Sequence, residues 1–244
     1  MGRAVKARAA LRAEADAAGR TRLTLVKSQV PLVLRPAADA VYLAAAAGGP
    51  LGGDDLELTV EVGAGATLML RTVGATIALP GPSESSMTLL LNVAGGGRLV
   101  VLPEPTVVAA RARHRTSVEA QVEAGGVLHV REEVVLGRHG ETGGAYRGRL
   151  RVDVAGAPLL RHELVLDGAD LSRASVTGAR ACGSLLVVDP QWTGQAHADQ
   201  NVAVLQLAGP GTLVTALADD ALTLRRRLDA HGCWLLTETT SPVR

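Results

Sequence analysis

Apolar and polar residues alternate with period two along most of the chain, which marks strands with one buried face. The alternation comes in paired runs around glycine turns. The pairs are Leu58 to Leu70, Leu89 to Leu102, Val118 to Val130 and Leu150 to Leu160, centred on Gly65, Gly96, Gly125 and Gly156 and repeating about every thirty residues. Glycine suits such turns because a tight reversal often needs a positive φ, which strains a residue that carries a Cβ. Each unit therefore reads as a hairpin, with Thr59, Glu61, Glu119, Gln121 and Glu123 set opposite apolar neighbours. A unit this small cannot hide its own apolar face, so the units must stack. The pattern predicts an all-β fold of layered antiparallel sheets in a β-helix-like or solenoid arrangement, although four hairpins in an ordinary β-sandwich would give the same repeat.

Three segments depart from this rhythm. Arg3 to Ala18 is rich in Ala, Arg and Glu and has high helix propensity, yet Val5, Ala7, Ala9 and Leu11 alternate, so helix and hairpin compete there. Asp219 to Leu228 reads as a short helix near the C-terminus: Asp219 and Asp220 supply the N-terminal cap, Arg225 to Arg227 its last turn and Gly232 its stop. Pro80 to Ser86 is a loop flanked by strand patterns, and no linker divides the chain, which is taken as one domain over residues 1–244. The uncharged stretch Gln200 to Ala218 is broken by Gly209-Pro-Gly211 and is read as two strands and a turn rather than a membrane span.

Composition narrows the function classes. The 244 residues include no Phe, two Trp and two Tyr, so the core must be built from Val, Leu and Ala, and base stacking has little to work with. Net charge is +1, which leaves no surplus to hold a polyanion, and no nucleic-acid partner is expected. The N-terminus lacks the apolar run of a secretory signal, pointing to the cytoplasm. Cys182 and Cys233 cannot form a disulfide framework and are expected to be free thiols in that reducing compartment.

Tests for chemistry are mostly negative. Lys6 and Lys27 are the only lysines and neither follows a glycine-rich turn, which excludes a Walker-type phosphate loop. Gly63-Ala-Gly65 and Gly95-Gly-Gly97 join strand to strand, whereas dinucleotide binding needs a following helix. Cys182-Gly-Ser184 runs directly into Leu185 to Val188, so Ser184 belongs to a strand rather than a nucleophile elbow. Among six histidines, His197-Ala-Asp199 and His231-Gly-Cys233 could each place two metal donors on one side of an extended segment, suited to nickel or zinc, although no tight site is indicated. Charged residues also interrupt apolar strands at Glu104, at Glu132 and Glu133, and at Arg161-His-Glu163; these are either solvated edges or the polar lining of a groove.

An ordered set of segments resembles the urease accessory protein D family, called H in some organisms. They are Gly19-Arg-Thr-Arg-Leu-Thr-Leu25, Ser28-Gln-Val-Pro-Leu-Val-Leu-Arg-Pro36, Val41-Tyr-Leu43, Gly48-Gly-Pro-Leu-Gly-Gly-Asp54, Leu70-Arg-Thr-Val-Gly-Ala-Thr76, Leu102-Pro-Glu-Pro-Thr106, Gly137-Arg-His-Gly-Glu141 and Gly156-Ala-Pro-Leu159. The chain departs from the family pattern at Val101, where many members carry Trp.

The resemblance implies a non-catalytic urease maturation chaperone, a mostly antiparallel layered β protein. Such a protein docks on apo-urease and, with a helical accessory protein (F type) and a GTPase (G type), helps deliver nickel to the active site. It implies nickel in transit rather than a tightly bound cofactor, and an internal polar tunnel for which Asp54, Glu104, Glu141 and Glu163 are the candidate lining or partner-contact residues. Substituting Asp54 or Glu141 by Ala is expected to lower urease activation without unfolding the chain. Two other readings remain open from the residues: a stand-alone β-rich hydrolase using His114 with Glu104 or Glu119, and a structural β-repeat protein with no metal role.

Overall fold

The alternating runs do form strands, but most of them do not pair across their own glycine. The computed structural model describes residues 4–167, 178–192 and 195–231. In chain order the strands are β1 (Lys6–Ala15), β2 (Thr21–Lys27), β3 (Leu32–Pro36), β4 (Val41–Ala45), β5 (Asp55–Val62), β6 (Thr67–Thr72), β7 (Thr76–Ala78), β8 (Ser85–Val93), β9 (Arg98–Leu102), β10 (Thr106–Val108), β11 (Arg113–Val122), β12 (Val127–Leu136), β13 (Ala145–Val154), β14 (Ala157–Asp167), β15 (Ala181–Val188), β16 (His197–Ala198), β17 (Val202–Gln206) and β18 (Gly211–Ala218). One helix follows, α1 (Ala221–Asp229). The strands make a seven-stranded sheet in the order β14-β13-β11-β8-β5-β1-β2. They also make an eleven-stranded sheet running β16-β17-β18-β15-β12-β9-β6-β4-β3, with β10 attached to β12 and β7 to β10.

The all-β, solenoid-like layering stands, while the hairpin reading is corrected at three of the four glycines. At Gly65, Gly96 and Gly125 the chain crosses from one sheet to the other. Each strand then pairs in parallel with its counterpart in the next repeat: β5 with β8, β8 with β11, β6 with β9 and β9 with β12. Antiparallel pairing is found further out, at β1–β2, β13–β14 and β12–β15. Gly156 alone of the four turns a true hairpin, β13 onto β14. A glycine at positive φ between two half-buried strands looks the same in sequence for either geometry.

What separates the two geometries is the stacking of the turns. Gly96 N donates to Gly125 O at 3.2 Å, and a Cβ on Gly97 would stand 2.8 Å from Gly63 O. Successive turns lie on one another, so Gly97 is needed for space, whereas Gly65, Gly96 and Gly125 are needed for their positive φ. The parallel register also aligns like side chains into rows: Ala9, Leu58, Leu89, Val118 and Leu150 form one, and Leu11, Val60, Leu91, Ala120 and Val152 the next. Facing them are Leu68, Leu99 and Leu128 of the second sheet, all fully buried. Each fully buried leucine contributes about 1.5–3 kcal/mol, and these rows are the principal core.

Tertiary pairing decides the ambiguous N-terminus in favour of strand. β1 runs parallel to β5 from Lys6–Asp55 to Ala13–Val62, burying Ala7, Ala9, Leu11 and Ala13, and β2 closes the hairpin. Gln200 to Ala218 holds β17 and β18, an antiparallel pair joined by the turn. The helix begins at Ala221, two residues after Asp219, and Asp220 is the N-cap, accepting from Thr223 N at 2.8 Å. Its Leu224 and Leu228 are fully buried and close over Gly183, where a Cβ would come within 3.2 Å of both. Gly232, Cys233 and Trp234 lie outside the described residues. Among the described residues no helix is long and apolar enough to cross a membrane.

Candidate functional site

Between the two sheets lies a cavity of about 580 Å³. Its walls are Leu56, Leu58, Met87 and Leu89 from the seven-stranded sheet and Leu70, Val101 and Val130 from the other. With no Phe in the chain, facing Leu and Val side chains leave this gap unfilled. Val30, Leu51 and Val73 are exposed and also line it, so the cavity opens to solvent on their side.

Seven ionisable side chains enter this mostly apolar surround, Asp54, Arg71, Glu104, His114, Arg131, Glu132 and Glu133, together with four threonines. His114 on β11 is 1% exposed, and its Nδ1 lies 2.9 Å from Ser85 Oγ. Burial pushes its pKa down to about 4, with a backbone hydrogen bond to Ser85 opposing the shift, so the ring is neutral at neutral pH. Behind it, the Tyr146 hydroxyl donates to Glu132, whose carboxyl is pushed up in pKa by burial. Burial, together with the neighbouring Glu132, raises the Cys182 thiol to about 12. This part of the interior therefore offers no thiolate nucleophile at neutral pH.

A second group ties the cavity wall to α1. Arg225 donates from Nε to Glu133 Oε1 at 3.1 Å and from Nη1 to Glu104 at 3.0 and 3.1 Å. Arg131, itself buried, reaches Asp229 at 3.2 Å and stands 3.7 Å from Glu133. Two guanidinium groups thus face three carboxylates, with Glu133 fully enclosed among them. Hydrogen bonding to Glu133, and then to Glu104, raises the pKa of Arg225, so it stays charged.

The predicted site residues are divided by this geometry. Asp54 and Glu104 both line the cavity. Asp54 spends both carboxylate oxygens on backbone amides, accepting from Val5 N at 2.8 Å and Leu51 N at 2.9 Å, which folds the glycine-rich loop and anchors the chain ahead of β1. The glycines of that loop have a steric reason too, since a Cβ on Gly52 would stand 2.6 Å from Gly81 backbone. Glu141 lies outside the cavity wall, paired with Arg138 at 2.8 Å, which holds its carboxyl down at about 2. Glu163 is exposed on the edge strand β14, 3.8 Å from Arg147. His114 and Glu119 are on opposite faces of β11 and do not meet; His114 and Glu104 line one cavity, but His114 is bonded to Ser85 and Glu104 to Arg225.

Arg131 and Tyr146 carry no sequence signal for this site, and Arg225 is read from the sequence only as part of the last turn of the helix, whereas here it turns inward onto Glu133 and Glu104. Glu132 and Glu133 gave a signal as acids inside an apolar strand, and here the groove reading holds, because β12 is a central strand. Arg161-His-Glu163, by contrast, is a solvated edge. Among the described residues no three His, Cys, Asp or Glu side chains stand, as placed, close enough to hold a metal ion.

The profile of the family described as UreD urease accessory protein matches residues 5–241. Urease accessory protein UreD of Frankia alni is 45% identical, with 93% of this chain and 92% of that protein covered. The protein of the same name from a Parafrankia strain is also 45% identical, covering 98% and 92%, and that of Streptomyces avermitilis is 38% identical, covering 92% and 95%. The chain belongs to the UreD urease accessory protein family, whose members are maturation factors of urease.

Proposed function

We propose that this chain is a non-catalytic scaffold that docks on apo-urease and, with a helical accessory partner and a GTPase, delivers nickel through the cavity between its sheets. Family membership over nearly the whole chain supports the role in urease maturation. The observation that carries the passage is the solvent-open cavity whose mostly apolar walls carry Asp54, Glu104, Glu132 and Glu133 beside Arg71 and Arg131. Such carboxylates attract a dication, and singly they hold it weakly enough for release. Asp54 and Glu104 are the lining candidates, and Glu141 and Glu163, outside the cavity, are the partner-contact candidates. The chain has no phosphate loop, so energy from GTP comes from the partner, in the cytoplasm where urease is assembled.

The test is the nickel content of urease purified from cells with and without this chain. Urease that is present but nickel-poor in its absence, and restored when the gene is returned, supports the proposal. Full nickel occupancy without the chain overturns it.

A further inference from the structure

We propose that the cavity between the sheets is a binding site for a neutral small molecule with an apolar body and one terminal O–H or N–H donor, such as a medium-chain alcohol. The strand order gives the cavity a direction. Val30, Leu51 and Val73 stand exposed at its mouth, beside β3, β5 and β6. Inward from β4 the eleven-stranded sheet runs β6, β9, β12, so the slot crosses three strand spacings, about 14 Å in all. Its walls change from Leu56 and Leu70, through Leu89 and Val101, to Thr116, His114 and Glu132 at the inner end. A slot that is apolar along its length and polar at its inner end fits an amphiphile lying lengthwise, head inward.

The inner end presents acceptors. Ser85 Oγ donates to Arg113 O at 3.4 Å and accepts from His114 Nδ1–H at 2.9 Å, so His114 Nε2 carries the lone pair. Nε2 stands 3.5 Å from Thr116 Oγ1, at the outer limit of a hydrogen bond, on a residue that is 1% exposed. Thr116 also hydrogen-bonds Tyr146, whose hydroxyl donates to Glu132 Oε1. The other Glu132 oxygen lies over Gly148, where a Cβ would come within 3.2 Å of it. A buried acceptor without a good donor costs free energy that a ligand O–H or N–H recovers. The two arginines of the lining, Arg71 and Arg131, do not answer these groups. Arg71 alternates with the inward-facing Leu70, and Arg131 with the inward-facing Val130; Arg131 turns to Asp229 on α1. An anionic head would therefore meet Glu132 with no arginine turned toward it, and a charged head of either sign would lose its hydration along the apolar slot.

The test is titration of the full chain with N-phenylnaphthylamine, a neutral arylamine that fluoresces in apolar sites, followed by displacement with octanol, its isomer heptyl methyl ether, or octanoate. No nickel, urease or partner takes part, because the inference rests on the cavity and not on ion passage; its failure removes this ligand site and leaves the maturation role standing. The unsubstituted chain is expected to bind the probe and to release it to octanol at about fivefold lower concentration than to the ether, which lacks the donor, with octanoate weakest. His114→Leu keeps the apolar volume and should erase the advantage of the alcohol over the ether. Leu89→Trp, which fills the slot from β8, should abolish probe binding. The inference is overturned if the unsubstituted chain does not bind the probe, if the ether or octanoate competes as well as octanol, or if Leu89→Trp binds the probe unchanged.

Discussion

The guanidinium of Arg225 closes on the carboxylate of Glu133, 92 residues earlier in the chain, and so pins the C-terminal helix to a central strand of the eleven-stranded sheet. Glu133 has no exposed side-chain surface, whereas Glu104, the other partner of Arg225, keeps 38%. Removing Arg225 leaves a buried carboxylate with only Arg131 nearby. Arg225→Ala is therefore expected to lower stability toward the bottom of the range of about 3–5 kcal/mol known for broken buried pairs. Glu104→Gln should lose less than about 1 kcal/mol. Urea unfolding midpoints decide the order, and a greater loss from Glu104→Gln would contradict it.

The stacked turns separate two uses of glycine. Gly156 has φ +77° and open space around it, so Gly156→Ala should lose only the left-handed strain, about 1–2 kcal/mol. Gly97 has no such φ, but an added Cβ would meet Gly63 O at 2.8 Å and Ala94 O at 3.1 Å. Gly97→Ala should therefore lower the melting temperature further than Gly156→Ala, because two repeats must part to admit it.

Acid sensitivity should have a histidine component. His114 and His129 are buried as neutral rings, with pKa values pushed from 6.5 down to about 4 and about 3 by burial. The unfolded chain then binds more protons than the folded one between these values, so stability falls as pH drops from 6.5 toward 4 and levels off below the folded pKa. For His114 the loss is up to about 3 kcal/mol. His114→Gln should flatten the stability curve over that window; an unchanged slope would contradict the assignment.

Asp54 needs a more conservative substitution than alanine. Asp54→Ala orphans the amides of Val5 and Leu51 and should lower stability by about 1–3 kcal/mol, so loss of urease activation would not by itself report on an ion path. Asp54→Asn retains one acceptor oxygen at lower charge. It is expected to fold and still reduce nickel transfer, read as nickel per urease at equal expression.

Much of this fold was legible because alternation and glycine spacing are local. The paired runs, the loop begun at Pro80 (which ends at Glu84, since Ser85 and Ser86 already belong to β8), the β17–β18 turn and the helix capped by Asp220 all follow from residues near one another in the chain. Strand direction was not legible, because Gly96 at a sheet-to-sheet crossing and Gly156 at a hairpin need the same φ; only contacts between repeats tell them apart. The site divided along the same line. Glu132 and Glu133 stood out as acids in an apolar strand, but nothing near Arg225 in sequence shows that it turns inward, since its partners lie 92 and 121 residues away.

The passage itself is tested most directly by filling it. Leu89→Trp places an indole in the cavity from β8 while leaving the surface carboxylates and the α1 anchor untouched. Nickel per active site is then measured in urease matured with this variant, after confirming that the variant folds and co-purifies with the maturation complex. The account predicts that the variant binds its partners and leaves urease nickel-poor; urease filled to the normal level would contradict it.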